Sequence, residues 1–284
     1  MRGGFMVVTD TGRWIIAVSI TLLATAAVGP VCLGQELPTG EQVMDRYVEA
    51  MGGAEALGKI TNLVQEGNFE NQPQIKIEMY SAPPHDTYWR IASDKGAFEK
   101  GTYADVAWIM RADKIEILNG TSSEQELFDC YFHMPLKWRT MLKSVKTVEL
   151  VDFQGEPCHK LAVTPQVGSD EVWHVSKATG LRLATTRTGP AGDLTLVSTD
   201  YRDVDGIKRP FKLIPMANGV PNAAMVFSSI RQNVELPKDR FVPPPRVKAM
   251  IDHAAAQNSK PPDEGEYEPE PEDETQTPEP QPPK

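Results

Sequence analysis

The chain has 284 residues, with 29 basic and 39 acidic side chains and a formal net charge of −10. Residues 260–284 alone hold nine acids against Lys260 and Lys284, a net of −7, so the rest of the chain is only mildly acidic. The charge imbalance therefore belongs to a solvated tail and not to a face for a cationic ligand, and the absence of a basic stripe argues against a nucleic-acid partner.

In chain order, Arg2 and Arg13 precede an apolar run from Trp14 to Val28, followed by Gly29, Pro30 and Gly34. This is the three-part layout of a secretory signal. The run is about fifteen residues, shorter than the roughly twenty needed by a membrane-crossing helix. The expectation is an exported, periplasmic protein cleaved after Gly34; the alternative is an uncleaved signal anchor that tethers it to the inner membrane. Cys32 follows Val31, whereas a lipid-modification signal wants a small residue there, so lipidation is the lesser reading.

The expected organisation is a signal peptide over 1–34, one folded domain over 35–258 and a disordered acidic Pro/Glu-rich tail over 259–284. Thr39 and Gln42 stand at capping-box spacing, and Val43, Met44, Tyr47, Val48 and Met51 recur on one helical face until Gly52 and Gly53 stop the helix. A second short helix is expected over Ala54 to Ile60.

After Thr61 the period changes to 2. Ile75, Ile77 and Met79 alternate with Lys76, Glu78 and Tyr80, the pattern of a strand with one wet face. Similar runs lie at Tyr88 to Ala92, Val106 to Met110, Lys114 to Leu118, Lys146 to Val151, His159 to Thr164, Glu171 to Ser176, Leu181 to Thr186, Leu194 to Tyr201, Lys208 to Leu213 and Ala223 to Arg231. Thr179-Gly180, Asp205-Gly206 and Asn218-Gly219 supply tight turns. The pattern is that of a mainly β, α+β protein, an antiparallel meander curling into a barrel or half-barrel.

One helical segment interrupts the strands. Ser123 and Glu126 have capping-box spacing, and Pro135 is expected to end the helix near His133. Leu127, Phe128, Tyr131, Phe132, Met134, Leu136 and Trp138 make this segment strongly apolar. It either plugs the concave side of the sheet or forms a movable lid over a ligand cavity. Cys130 in the segment and Cys158 at a strand start are either two buried thiols or a disulfide, which would close a loop of under thirty residues and contribute about 3 to 4 kcal/mol. The tail, nearly free of aliphatic side chains, cannot offset its ordering entropy; it is a solubilising spacer or a docking segment for an envelope protein.

No chemical constellation accompanies this framework. The five histidines are isolated, without the spacing of a metal site, and there is no G-x-S-x-G elbow or phosphate-cradling glycine loop. No cofactor or metal is expected, and His133 and His174 read as packing or surface residues. This favours a binding protein, expected to be a monomer, over an enzyme.

The segments LPTGEQVMDRYVEAMGGAEALGKI, VWHVSKATGLRLATTR, STDYRDVDGIKRPFKL and ELPKDRFVPPP resemble the LolA-like (LppX-like) superfamily of outer-membrane lipoprotein-sorting and related periplasmic envelope proteins. The resemblance spans Gln35 to about Pro245. It implies a strongly curved antiparallel half-barrel with helices on its concave side and an apolar cavity for acyl chains, in a carrier of lipid or lipoprotein. Other relatives imply a non-catalytic envelope interaction or stress-sensor domain, and an enzyme of unknown class ranks third. Where many relatives carry a glycine-rich D-G-x-x-G-W turn, this chain has Ala104-Asp105-Val106-Ala107-Trp108. The family's gating arginine has no residue-by-residue match here; Arg90 is a guess by position alone and is not among the site candidates.

An acyl chain is bound by area, at about 25 cal/mol per Å² buried, so such a site needs a broad apolar lining. The candidates are Ile77, Met79, Trp89, Trp108, Met110, Trp173, Phe211, Leu213 and Phe227 on the sheet, with Phe128, Phe132, Met134, Leu136 and Trp138 on the plug. Most are expected to be ordinary core.

Overall fold

The structure, a computed structural model, describes residues 36–258; the segment read as a signal, Cys32 and the acidic tail lie outside them. Helix α1 (Gly40–Ala50) starts where the capping box places it. Thr39 Oγ1 accepts from the Gln42 amide at 3.2 Å, and Gln42 Oε1 accepts from the Thr39 amide at 2.9 Å. Its buried face is Val43, Met44, Tyr47 and Val48, the stripe expected from spacing. Helix α2 (Ala54–Gly58) follows and buries Leu57.

Two antiparallel meanders carry the rest. The first is β1 (Leu63–Phe69), β2 (Gln72–Ala82), β3 (Asp86–Ser93), β4 (Gly96–Tyr103), β5 (Val106–Arg111) and β6 (Lys114–Ile117). The second is β7 (Leu142–Phe153), β8 (Glu156–Pro165), β9 (Glu171–Ser176), β10 (Arg182–Gly189), β11 (Gly192–Val204) and β12 (Ile207–Ala217), with the two-residue β13 (Val220–Pro221) beside β12. Strand β14 (Met225–Gln232) pairs with both β12 and β1 and so joins the meanders. The product is one 14-stranded sheet that is antiparallel, curved and unclosed, with few helices, an α+β fold as expected. At Asp205-Gly206 and Asn218-Gly219 both turn residues have positive φ (47° and 85°, 51° and 78°), the conformation that matches the twist of paired strands.

This strand order dictates where the helical segment must run. Strand β6 is one edge of the sheet and β7 is the other, so residues 118–141 have to cross from edge to edge. They do so as α3 (Gly120–Asp129) and α4 (Met134–Met141). Two expectations are corrected here. Helix α3 begins after Asn119, ahead of the Ser123 capping position, because Gly120 (φ +52°) turns the chain directly from β6 into the helix. It stops at Asp129, and Pro135 opens α4 instead of following a helix end; in a first turn the amide that proline lacks has no intrahelical partner to lose.

Three buried clusters hold the fold. Val43, Met44 and Tyr47 of α1 and Trp138 of α4 pack on Leu161, Val163 and Trp173 of β8 and β9. Leu63, Ile77, Phe211 and Phe227 form a second cluster where β14 joins the meanders. The third was not anticipated from sequence: helix α5 (Pro245–Asn258) buries Val247 and Ile251 against Trp108 of β5.

Candidate functional site

Between the helices and the sheet lies a pocket of about 610 Å³, within the roughly 300 to 1,000 Å³ typical of small-molecule sites. Tyr47 and Met51 of α1, Leu57 of α2 and the segment Phe128 to Leu136 line it from the helical side. Strands β1 to β4 contribute Leu63, Gln65, Met79, Trp89 and Lys100, and β9 to β12 contribute the opposite wall.

Half of the candidate lining residues meet here: Met79, Trp89, Phe128, Phe132, Met134, Leu136 and Leu213. The other half are core. Trp138 and Trp173 belong to the cluster under α1, Ile77, Phe211 and Phe227 to the cluster at β14, and Trp108 and Met110 to the cluster under α5. Arg90 is not in the lining; its guanidinium stands 3.9 Å from Glu78 and 3.7 Å from Glu99.

Ion pairs fix the roof of the pocket from both sides. Lys100 Nζ of β4 donates to Glu126 of α3 at 2.6 Å and lies 4.3 Å from the Trp89 ring centre. On the other side, Arg187 of β10 donates through Nε to Glu171 at 2.7 Å and through Nη1 to Asp129, the last residue of α3, at 2.8 Å. Glu171 is buried and also accepts from Trp173 Nε1 at 2.5 Å. Burial raises the Asp129 carboxyl from its ordinary value, and Arg187 pulls it back. Burial opposes the charge of Arg187 too, but Asp129 and Glu171 outweigh it and hold the guanidinium above its ordinary value. Removing the partner of the buried Glu171 carboxylate is strongly destabilising, and the same guanidinium ties Asp129 of α3 to the sheet.

Two more arginines line the pocket. Arg182 lies between the Trp173 ring (4.5 Å) and the Tyr47 ring (5.7 Å), a cation–π arrangement. Tyr201 Oη donates to the Arg182 carbonyl at 2.6 Å. Arg209 of β12 has a buried Nε with no hydrogen-bond partner, and burial lowers its guanidinium, offset in part by Tyr47. These polar residues escaped the sequence reading. A charged side chain inside an alternating strand reads as its wet face, and only Tyr47 and Met51, members of the α1 stripe, carried a usable signal.

The two cysteines among the described residues, Cys130 and Cys158, are free thiols. Cys130 caps α3 and accepts a contact from Thr87 Oγ1 of β3 at 3.4 Å, whereas Cys158 sits in β8, paired with Ser176 of β9. Cys130 lies in the crossing segment against β3 of the first meander and Cys158 in the second meander, which is why spacing along the chain did not translate into a bridge. Burial pushes Cys130 up to about 12 and Cys158 up to about 11.

No family model and no curated protein matches the chain. Its structural neighbours include LolA-superfamily proteins. A LolA superfamily protein from Nitrosomonas europaea is 10% identical, covering 73% of this chain and 99% of that one at a TM-score of 0.48. A DUF1329 family protein from Desulfovibrio piger is 16% identical, covering 71% and 96% at 0.48. The lipoprotein LppX of Mycobacterium tuberculosis is 9% identical, covering 58% and 99% at 0.27. At such values the chemistry of the site has to be read from the chain's own residues.

Proposed function

We propose that the protein is an exported, non-catalytic carrier or binding protein, working in the periplasm, whose pocket holds the acyl chain of a lipid or of an acylated protein. The observation that supports this reading is the pocket wall. Leu57, Met79, Trp89, Phe132, Met134 and Leu136 present apolar surface from helices and sheet to one space. Methionine and aromatic rings make a wall that adapts to a flexible chain. About a dozen buried methylenes, at roughly 0.8 kcal/mol each, would gain on the order of 10 kcal/mol before the entropic costs of binding. Among the described residues no helix is long and apolar enough to cross a membrane.

Native mass spectrometry of protein purified without detergent and mixed with a C16 fatty acid tests this. The reading predicts a one-to-one adduct. A chain that stays ligand-free and also excludes other acyl probes would remove it.

A further inference from the structure

The charges lining the pocket do not balance. Four permanent cations, Lys100, Arg182, Arg187 and Arg209, face three carboxylates, Glu126, Asp129 and Glu171. Lys100 pairs with Glu126 at 2.6 Å. Arg187 joins Asp129 and Glu171, and both carboxylates also act on Arg182, which is in addition sandwiched by two rings. That set of two guanidiniums and two carboxylates is neutral. Arg209 is left over: no carboxylate contacts it, and its buried Nε has no hydrogen-bond partner among the described residues.

A guanidinium stays protonated in proteins, and an unsatisfied buried donor is costly. Its persistence beside an apolar pocket has a simple chemical use, because an anionic oxygen brought in by a ligand would neutralise the excess charge by one charge-assisted contact with the guanidinium.

We infer that the pocket takes an amphiphile with a single anionic headgroup, a carboxylate or a phosphate, bound at Arg209 while its chain runs along the apolar wall. This rests on the acyl-chain reading above and adds the headgroup to it. It also gives the three pocket arginines distinct roles: Arg187 is ion-paired and holds the helical roof, Arg182 is held by two aromatic rings in the field of Asp129 and Glu171, and Arg209, with no anionic counterpart, is free for the ligand.

The test compares palmitate, hexadecyl phosphate and hexadecanol, chains of equal length, by calorimetric titration below their aggregation limits. The native chain should bind at least one of the two anions about tenfold or more tightly than the alcohol, the effect of one charge-assisted hydrogen bond. Preference for palmitate alone or for hexadecyl phosphate alone assigns the head as carboxylate or phosphate. Arg209→Met should abolish the preference while leaving hexadecanol binding in place and the melting temperature unchanged or raised, since a costly buried donor is removed, and Arg209→Lys should retain part of the preference. Equal affinity for all three ligands, or a preference that survives in Arg209→Met, would overturn the headgroup assignment and leave the acyl site standing. Failure of all three to bind would overturn both.

Discussion

Ala104 and Asp105 form the turn between β4 and β5, and both have positive φ (50° and 61°). The glycine-rich turn of the resembled family is thus replaced in residue type but not in tightness. Asp105 is anchored by His85, whose Nε2 lies 2.7 Å from its Oδ1. Ala104 has no such compensation, and a left-handed alanine costs about 1 to 2 kcal/mol. Ala104→Gly is therefore expected to stabilise the protein by about 1 kcal/mol, or roughly 2 to 4 °C in melting temperature, against the usual direction of an alanine-to-glycine change. A lower melting temperature in a thermal scan would contradict the account of this turn. The same scale explains the polar lining. Arg182 and Arg187 acquire their roles from partners distant in sequence, and Arg209 from having none, so nothing in their neighbourhoods along the chain marks them.

Among the elements, hairpins bounded by Asp-Gly and Asn-Gly turns were legible because turn chemistry and alternation agree there. Strands β1 and β4 were not, and each carries a glycine in its middle. A Cβ on Gly67 would lie 2.1 Å from the Val226 carbonyl oxygen, at the irregularity between β1 and β14, and one on Gly101 would lie 2.3 Å from the Thr87 carbonyl oxygen. These glycines lower strand propensity but permit close backbone approach. Helix α5 was hidden for a different reason: Pro243, Pro244 and Pro245 at its entry break any regular pattern there, although Val247 and Ile251 are spaced to share one helical face. It covers Trp108, which is 1% exposed. Ile251→Ala should cost about 2 kcal/mol or more, lowering the melting temperature by roughly 4 to 8 °C and red-shifting tryptophan emission. An unchanged melting curve would mean that α5 does not cap the sheet.

At the scale of the molecule, the curved sheet and the plug follow from connectivity. Because β6 and β7 are opposite edges, the chain between them must cross the sheet, and its apolar residues make that crossing a plug. The aromatic composition of the segment made this legible; the division of its residues between core and pocket was not, since either role calls for the same side chains. Trp89 lines the pocket, while Trp108, Trp138 and Trp173 are buried in the core clusters outside the lining. Titration with a brominated stearate, which quenches tryptophan on contact, therefore locates a bound chain. The account predicts saturable quenching that is mostly lost in Trp89→Phe, with binding itself retained. Absence of saturable quenching, or quenching unchanged in Trp89→Phe, would contradict the placement of an acyl chain between plug and sheet.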